Sequence, residues 1–384
     1  MSEALRVLMV GHFARRKGEN DGGVSAVMSY LADALLERQD IELIGVRLGS
    51  ASGDASSDDN LGFPVHSIAM KSRGLASGFR YQRQCFEEIV NVTNPDIVHG
   101  QGADLAGFLA SRSGRPAIVT VHGIIGEDAR YKSRFVDRIR ERVTSRFIER
   151  SVIRHSESLI LISPYVAAYY GEAIRGARHD IPNPVGPQYF DIEPRREEGR
   201  VLYAGRVIPR KGIVDLVSAF ARIERALKPH LTIAGSLADK TYVDNVIRVI
   251  AELGVSDRVE FVGMLHDQEL LKEFAKAQVL VLPSYQETAP MVILQAMAAG
   301  IPVVATRICG VPFQVSDGES GFMFTPGDIS ALHGHLELLL SNVELANRMG
   351  AAGNRIAVEK FHSSAVAAAT VCAYQSTISN HVRL

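Results

Sequence analysis

Three features of the 384-residue sequence predict an α/β protein built from two doubly wound parallel sheets. Short β-branched runs alternate with helix-length amphipathic segments, the arrangement in which helices cover both faces of a parallel sheet. The chain is too long for one ordinary core, so two domains are expected. A stretch from Arg178 to Gly199, holding Pro182, Pro184, Pro187 and Pro194, divides the pattern in two and reads as a semi-rigid linker. The predicted domains are residues 1–187, completed by 363–384, and residues 188–362, facing each other across a cleft.

In the first half the strand candidates are Arg6–Gly11, Ile41–Leu48, Asp96–His99, Ala117–His122 and Ser158–Ile162. In the second they are Val201–Gly205, Leu231–Ala234, Val259–Val262, Val279–Pro283 and Pro302–Thr306. In such sheets ligands bind outside the carboxyl ends of the strands. The Ser-, Asp- and Gly-rich stretch Gly49 to Gly62 reads as a surface loop. A final alanine-rich helix, roughly Ser363 to Ser379, can pack back on the first domain.

Composition narrows the function. A hydrophobic fraction of 46% and a charged fraction of 22% belong to a soluble globular protein, and a net charge of −1 makes no case for nucleic-acid binding. Cys85, Cys309 and Cys372 form no CxxC pair, which argues against a disulfide framework or a zinc site and fits a reducing compartment. The apolar run at the N-terminus is too short for a signal peptide, and no segment approaches the ~18 apolar residues of a membrane span. A cytoplasmic protein is expected, with room for attachment at the inner face of a membrane.

The most informative stretch is Ser284 to Ala298. An apolar run, Gln278 to Pro283, leads into a turn carrying Glu287. Pro290 then stands where a helix begins, a position that suits proline because its missing N–H would be unbonded there anyway. The free N–H groups near Pro290, Met291 and Val292, with the positive end of the helix dipole, make an anion site. A carboxylate beside an anion site can hold a sugar hydroxyl and a phosphate together, which suggests sugar-nucleotide chemistry. Arg206 follows a strand directly and Lys211-Gly212 precedes a helix, so two cations beside a helix N-terminus could neutralise a diphosphate without a metal. Alone, each would pass for a solvated surface charge.

Gly22-Gly23 end the loop after the first strand, where glycine lets backbone approach a phosphate or sugar; an ordinary helix-entry turn is the equal alternative. His122 ends a strand at the predicted cleft rim, with His99 and His12 in similar positions but unneeded by the simplest mechanism. No GxGxxG, GxxxxGK[ST] or Asp-x-Asp is present, which argues against a dinucleotide oxidoreductase, a kinase-like NTPase and a metal-dependent transferase.

From Arg130 to Arg154 nine basic residues stand against three acidic ones, and Phe135, Ile139, Val143 and Phe147 form an apolar stripe. Such a helix can lie on anionic lipid. It can equally turn its stripe to its own core, the reading preferred for the apolar face, while its arginines attract an anionic or lipid-linked acceptor.

Taken together, these residues resemble the retaining glycosyltransferases of the GT-B fold, family 4 (glycosyl transferases group 1). The pieces are Gly22-Gly23, Thr120-Val121-His122-Gly123, Ile181-Pro182-Asn183-Pro184, Ala204-Gly205-Arg206 with Lys211-Gly212, and Ala234-Gly235-Ser236. Phe261-Val262-Gly263, the Glu287 segment, Gly300 to Thr306, and Gly310-Val311-Pro312 complete them. The resemblance implies two Rossmann-like domains, an acceptor side first and a donor side second, with the last helix crossing back. It implies that Arg206 and Lys211 grip the donor diphosphate, that Glu287 meets donor-sugar hydroxyls, and that His122 lies near the reacting centre. It also implies that Gly235, Ser236, Gly263 and Met264 border the nucleotide, that no cofactor or metal is required, and that configuration is retained.

The family usually carries Glu at both ends of an E-x7-E pattern; here the second end is Gln295, and Gln314 stands where Glu is common. A charged hydrogen bond is worth about 1.5–3 kcal/mol against about 0.5–1.5 for a neutral one, so Gln295 should weaken donor binding roughly tenfold without abolishing chemistry. The expected partners are a nucleotide-sugar donor and a glycan or lipid-linked saccharide acceptor. A non-catalytic binder of nucleotide sugar or glycan on the same fold is the alternative.

Overall fold

In a computed structural model of the chain, residues 4–19, 22–50, 57–70, 79–131 and 135–382 are described. The chain forms two compact units, Met1–Pro184 with Ser363–Leu384, and Val185–His362.

The first unit holds an eight-stranded sheet. Its strands are β1 (Leu5–Gly11), β2 (Ile41–Ser50), β3 (Ser57–Asp58), β4 (Val65–Ala69), β5 (Ile97–Gln101), β6 (Ala117–Val121), β7 (Ser158–Leu161) and β8 (Ala177–Asp180). Their order is β3-β4-β2-β1-β5-β6-β7-β8, with every pair parallel except β3 with β4. Residues Val7 to Val10 are wholly buried, as expected for a central strand covered on both faces. The final helix, Ser363–His381, completes this unit. Its Val366, Ala367, Val371 and Tyr374 join one apolar cluster with Val7, Met9, Ile97, Ile118 and Ile160. The Thr377 hydroxyl donates to Ser158 Oγ at 2.8 Å.

The second unit holds a six-stranded, all-parallel sheet of β9 (Arg200–Ala204), β10 (His230–Ala234), β11 (Val259–Gly263), β12 (Val279–Leu282), β13 (Val303–Thr306) and β14 (Gly321–Phe324). The order is β11-β10-β9-β12-β13-β14. Connections run outward from β9 on one side and from β12 on the other, so the strand order switches between them. Doubly wound sheets bind ligands at the carboxyl ends beside such a switch. In the first unit the same switch falls between β1 and β5.

The structure corrects the sequence reading in several places. Strands β3, β4, β8 and β14 were not anticipated. β8 alternates half-buried and exposed positions and carries Arg178, His179 and Asp180, an edge composition without an apolar run. It uses residues assigned to a linker, and the rest of that stretch is fastened down. The Val185 N–H donates to Phe361 O at 2.7 Å, which places Val185 to Pro187 in the second unit. The Arg196 guanidinium donates to Phe274 O and Ala299 O, both at 2.6 Å. Those carbonyls end the helices Asp267–Lys276 and Met291–Ala298, where a cation opposes the negative end of each dipole. Burial pushes Arg196 down to about 10.

The predicted surface loop at Gly49–Gly62 is partly sheet. Buried Arg47 donates to Asp58 Oδ2 at 2.7 Å and to Ala14 O at 3.1 Å, which holds β3 in place; residues 51–56 lie outside the described residues.

The basic segment also departs from expectation. It runs as the helix Phe135–Thr144, a π-helical turn Ser145–Glu149, and the helix Arg150–His155. The extra residue per turn breaks the phase of the stripe. Ile139 is 47% and Phe147 63% exposed, so they do not line a core. Arg142, Arg146, Arg150 and Arg154 are exposed as well, while Lys132 and Arg134 lie outside the described residues. Among the described residues no helix is long and apolar enough to cross a membrane.

Candidate active site

In the second unit the site is built where β9, β10, β11 and β12 end. Past β9 the Gly205 N–H donates to Ala234 O at 2.8 Å and the Val207 N–H to Ser236 O at 3.0 Å, while the Gly235 N–H donates to Gly263 O at 2.7 Å. This stitching brings Gly235 so close to its neighbour that a Cβ there would lie 1.9 Å from Gly205 O. Glycine is therefore required. The buried Tyr203 hydroxyl donates to Arg206 O at 2.8 Å and fixes the turn that presents the exposed Arg206 side chain.

The loops after β9 and β12 are locked together across the switch point. Gly212 sits in the left-handed region (φ 66°), and a Cβ on it would lie 2.1 Å from Pro283 O. The Tyr285 N–H donates to Arg210 O at 2.8 Å, and the Arg210 guanidinium donates to Gln286 O at 2.8 Å and Gln286 Oε1 at 2.7 Å. Within this frame the Lys211 ammonium donates to Glu287 Oε1, and the Ser284 hydroxyl donates to the same oxygen at 2.7 Å. The Glu287 carbonyl accepts from the Gly310 N–H at 3.1 Å. Glu287 is buried, and the Lys211 side chain is only 12% exposed. Burial alone would raise the carboxyl of Glu287, but Lys211, Arg210 and the hydrogen bonds from Lys211 and Ser284 hold it below the usual carboxylate range. Burial lowers the Lys211 ammonium from its ordinary value.

The helix beyond Glu287 spans Met291–Ala298. Pro290 stands one residue before it, extended at φ −66° and ψ 122°, rather than inside its first turn, and no side chain caps the helix. The other helix start that the sequence offered as an anion site, at Ile213, is already filled. The Tyr242 hydroxyl accepts from the Ile213 N–H at 3.1 Å and the Val214 N–H at 3.4 Å. Gln295 is buried on the Met291–Ala298 helix, Val292 is half-buried, and Met264 is exposed at the end of β11. Gln314 is buried, its Oε1 without a hydrogen-bond partner among the described residues.

In the first unit Gly22 precedes the helix Gly23–Leu36 in extended backbone, and a Cβ would meet nothing within 4 Å. Neither strain nor crowding requires glycine there. His122 follows β6, and its Nε2 lies 2.7 Å from Gln101 Oε1 at the end of β5. Burial pushes its pKa down to about 4, against the pull of Asp104. His99 is not a strand-end residue: it sits inside β5, wholly buried, with a pKa of about 3 from burial and the nearby His122. Its Nδ1 lies 2.7 Å from the Tyr374 hydroxyl and its Nε2 2.7 Å from Thr120 Oγ1. His12, after β1, lies 3.7 Å from Asp104 Oδ2, and the bond to Asp104 raises its pKa. The π-helical turn delivers buried Glu149 to the loop after His122, where it accepts from the Ile125 N–H at 2.7 Å and the Tyr170 hydroxyl at 2.6 Å.

Two family models divide the chain between them: a glycosyl transferase 4-like domain matches residues 22–184 and the glycosyl transferases group 1 domain matches residues 188–355. The MMP α-(1→4)-mannosyltransferase of Mycolicibacterium hassiacum is 30% identical over 294 residues, covering 74% of this chain and 71% of the relative. The chain belongs to the group 1 glycosyltransferases. A glycogen synthase of Mycobacterium tuberculosis is 30% identical over 291 residues, covering 73% of this chain and 68% of the relative. Among solved structures, the sucrose-phosphate synthase of Thermosynechococcus elongatus superposes with a TM-score of 0.79 at 22% identity, covering 98% of this chain and 100% of its own. Anabaena HepE in complex with UDP-glucose superposes with a TM-score of 0.73 at 17% identity, covering 99% and 100%. The fold is GT-B, two α/β domains with parallel sheets, and the protein is an enzyme of glycosyl transfer.

For this glycosyltransferase, sequence reasoning named Arg206, Lys211 and Glu287, and the structure joins Lys211 to Glu287 directly. It missed Arg210, although Pro209-Arg210-Lys211 shows a second cation in the same loop. It also missed Gln101, Asp104, Glu149 and Tyr374, for which no local signal exists. Among the described residues no group of three or more His, Cys, Asp or Glu is placed to hold a metal ion.

Proposed function

We propose that the enzyme transfers a sugar from a nucleotide-sugar donor, bound by the second unit, to a hydroxyl of a glycan or lipid-linked saccharide bound by the first, with retention and without a metal. The observation that carries this reading is the buried Lys211–Glu287 pair, framed by Arg210 and Ser284 beside the β9/β12 switch point. As the bond from anomeric carbon to diphosphate breaks, negative charge grows on the leaving oxygen. Arg206, Lys211 and the uncapped N–H groups at Met291 and Val292 are the donors for that charge. Because Lys211 already neutralises Glu287, the carboxylate serves sugar hydroxyls as a held acceptor rather than as a free nucleophile. Same-face attack, with the leaving phosphate taking the acceptor's proton, fits a site with one evident carboxylate. Gly235, Ser236, Gly263 and Met264 edge the nucleotide. Gln295 faces the ribose in this reading, so Gln295→Glu should strengthen donor binding about tenfold.

His122 contributes an uncharged imidazole that accepts a hydrogen bond from a sugar hydroxyl, while Gly22 and Gly23 leave backbone open to substrate. The exposed arginines and apolar side chains between Arg130 and Arg154 would meet an anionic lipid surface or a lipid-linked acceptor. Vesicles rich in anionic lipid should pellet the protein at low salt, and failure to do so would remove the membrane contact.

Thermal shift against a panel of nucleoside diphosphates and nucleotide sugars, in EDTA, tests the donor site. A ligand at 100 times its Kd stabilises by about 2.7 kcal/mol. A shift confined to one base, with nucleoside diphosphate released when acceptors are added, is the expected result. No shift in folded protein would discard the reading.

A further inference from the structure

We propose that Gln101, His99 and Tyr374 are positioning residues that hold His122 as the tautomer protonated on Nε2 and present Nδ1 as a lone-pair acceptor for a substrate hydroxyl. The proposal rests on the reading of His122 as a participant in transfer.

The hydrogen-bond roles follow link by link. An amide oxygen only accepts, so Gln101 Oε1, 2.7 Å from His122 Nε2, requires the imidazole proton on that nitrogen. The other end of the same amide only donates, and Gln101 Nε2 lies 3.2 Å from His99 Nε2 and 3.4 Å from His99 Nδ1. In this arrangement the nearer nitrogen, Nε2, carries the lone pair, which the Thr120 hydroxyl at 2.7 Å also addresses. The single proton of neutral His99 is then on Nδ1 and is donated to the Tyr374 oxygen at 2.7 Å.

Reversing the Gln101 amide would reverse both tautomers together, with Tyr374 then donating to His99 Nδ1, so the two histidines share one orientation of one side chain, and the spectrum below reads which orientation it is. His99, Gln101 and Tyr374 are at most 1% exposed, and water cannot substitute for any link. The far end, His122 Nδ1, is buried and has no partner among the described residues. A buried acceptor of this kind is costly until a donor reaches it. A sugar hydroxyl is such a donor, and an imidazole that stays neutral at pH 7 accepts from it. Tyr374 comes from the final helix, 275 residues beyond His99. The returning helix thus sets the protonation of a loop in the first half of the chain, besides filling the core.

The test is a long-range proton–nitrogen correlation spectrum of the full-length chain labelled with 15N-histidine, at pH 7, with His122 assigned by its loss in His122→Asn. The expected wild-type result is Nε2 protonated and Nδ1 bare. Gln101→Met, which keeps the volume and removes both amide bonds, should spread the proton over both nitrogens. Tyr374→Phe should disturb His99 most and His122 less, and it serves if the Gln101 variant does not fold. A wild-type His122 protonated on Nδ1, or an unchanged His122 tautomer in folded Gln101→Met and Tyr374→Phe proteins, would overturn the proposal. Unchanged nucleotide release in His122→Ala sinks instead the reading beneath it, and that result is independent of the tautomer spectrum.

Discussion

The two strand-end regions solve the same problem with opposite chemistry. In the second unit a full positive and a full negative charge, Lys211 and Glu287, are buried together and framed by hydrogen bonds. In the first unit His122, Gln101, His99 and Tyr374 form a buried chain of neutral groups. A buried ion pair is costly to break because either partner alone is an uncompensated charge, whereas a neutral link leaves behind only an unpaired dipole. The charged site suits a ligand that is itself a polyanion. The neutral one suits hydroxyls, which need an acceptor more than a field.

The largest way to break this contrast is Lys211→Ala, which strands Glu287. It should cost about 3–5 kcal/mol of folding stability in urea melts, while Lys211→Met combined with Glu287→Gln recovers most of that loss. If the double variant is as unstable as the single, the pair is not the unit it appears from its geometry.

Acid should then separate the two regions. Burial holds His99 and His122 near 3 and 4, below the 6.5 of an exposed histidine. Between those values the unfolded chain binds protons that the folded chain refuses, so stability falls as pH drops from about 6.5 toward 4, by about 1.4 kcal/mol per pH unit for each histidine. Glu287 acts in the same direction but in a lower window: its folded pKa lies below 4.5, so its contribution is complete above that value and is lost only as pH falls toward the folded one. Hydrogen exchange followed by segment should show β5 and β6 loosening at a higher pH than the loops after β9 and β12. Simultaneous loosening would contradict the two windows.

A smaller effect belongs to the neutral chain. Tyr374→Phe removes one hydroxyl and should cost about 1–3 kcal/mol in the same melts, well under the Lys211→Ala loss. The smallest concerns Cys309, a non-glycine residue at φ 45° beside Gly310. Replacing it with glycine relieves about 1–2 kcal/mol of left-handed strain against roughly 0.5–1 of added chain entropy, so a gain of about 1 kcal/mol or less is expected. A drop in melting temperature would show that the Cys309 side chain contributes packing that outweighs its backbone.

Much of the fold was legible because central strands are buried on both faces and read as apolar runs, as Val7 to Val10 and Val279 to Leu282 do. Strands β8 and β14 were not. The first is an edge with charged side chains, and the second is a four-residue run opening on Gly321, whose Cβ would lie 2.1 Å from Val303 O. The turn carrying Glu287 was legible from a carboxylate just past an apolar run. The stripe was misread because periodicity shows that apolar side chains share a face, not that anything covers that face: Ile139 is exposed within the regular helix Phe135–Thr144, and Phe147 is exposed in the π-helical turn Ser145–Glu149, where the phase breaks.

The sequence by itself determined the strands, the charged loops at their ends and the family, since each depends on residues near one another in the chain. Tertiary structure alone decided that Lys211 meets Glu287 across 76 positions and that Tyr374 meets His99 across 275. The reason is physical. Periodicity and turn chemistry report on neighbours along the chain, whereas a buried hydrogen bond forms wherever folding desolvates two groups side by side, and no local pattern marks the partner.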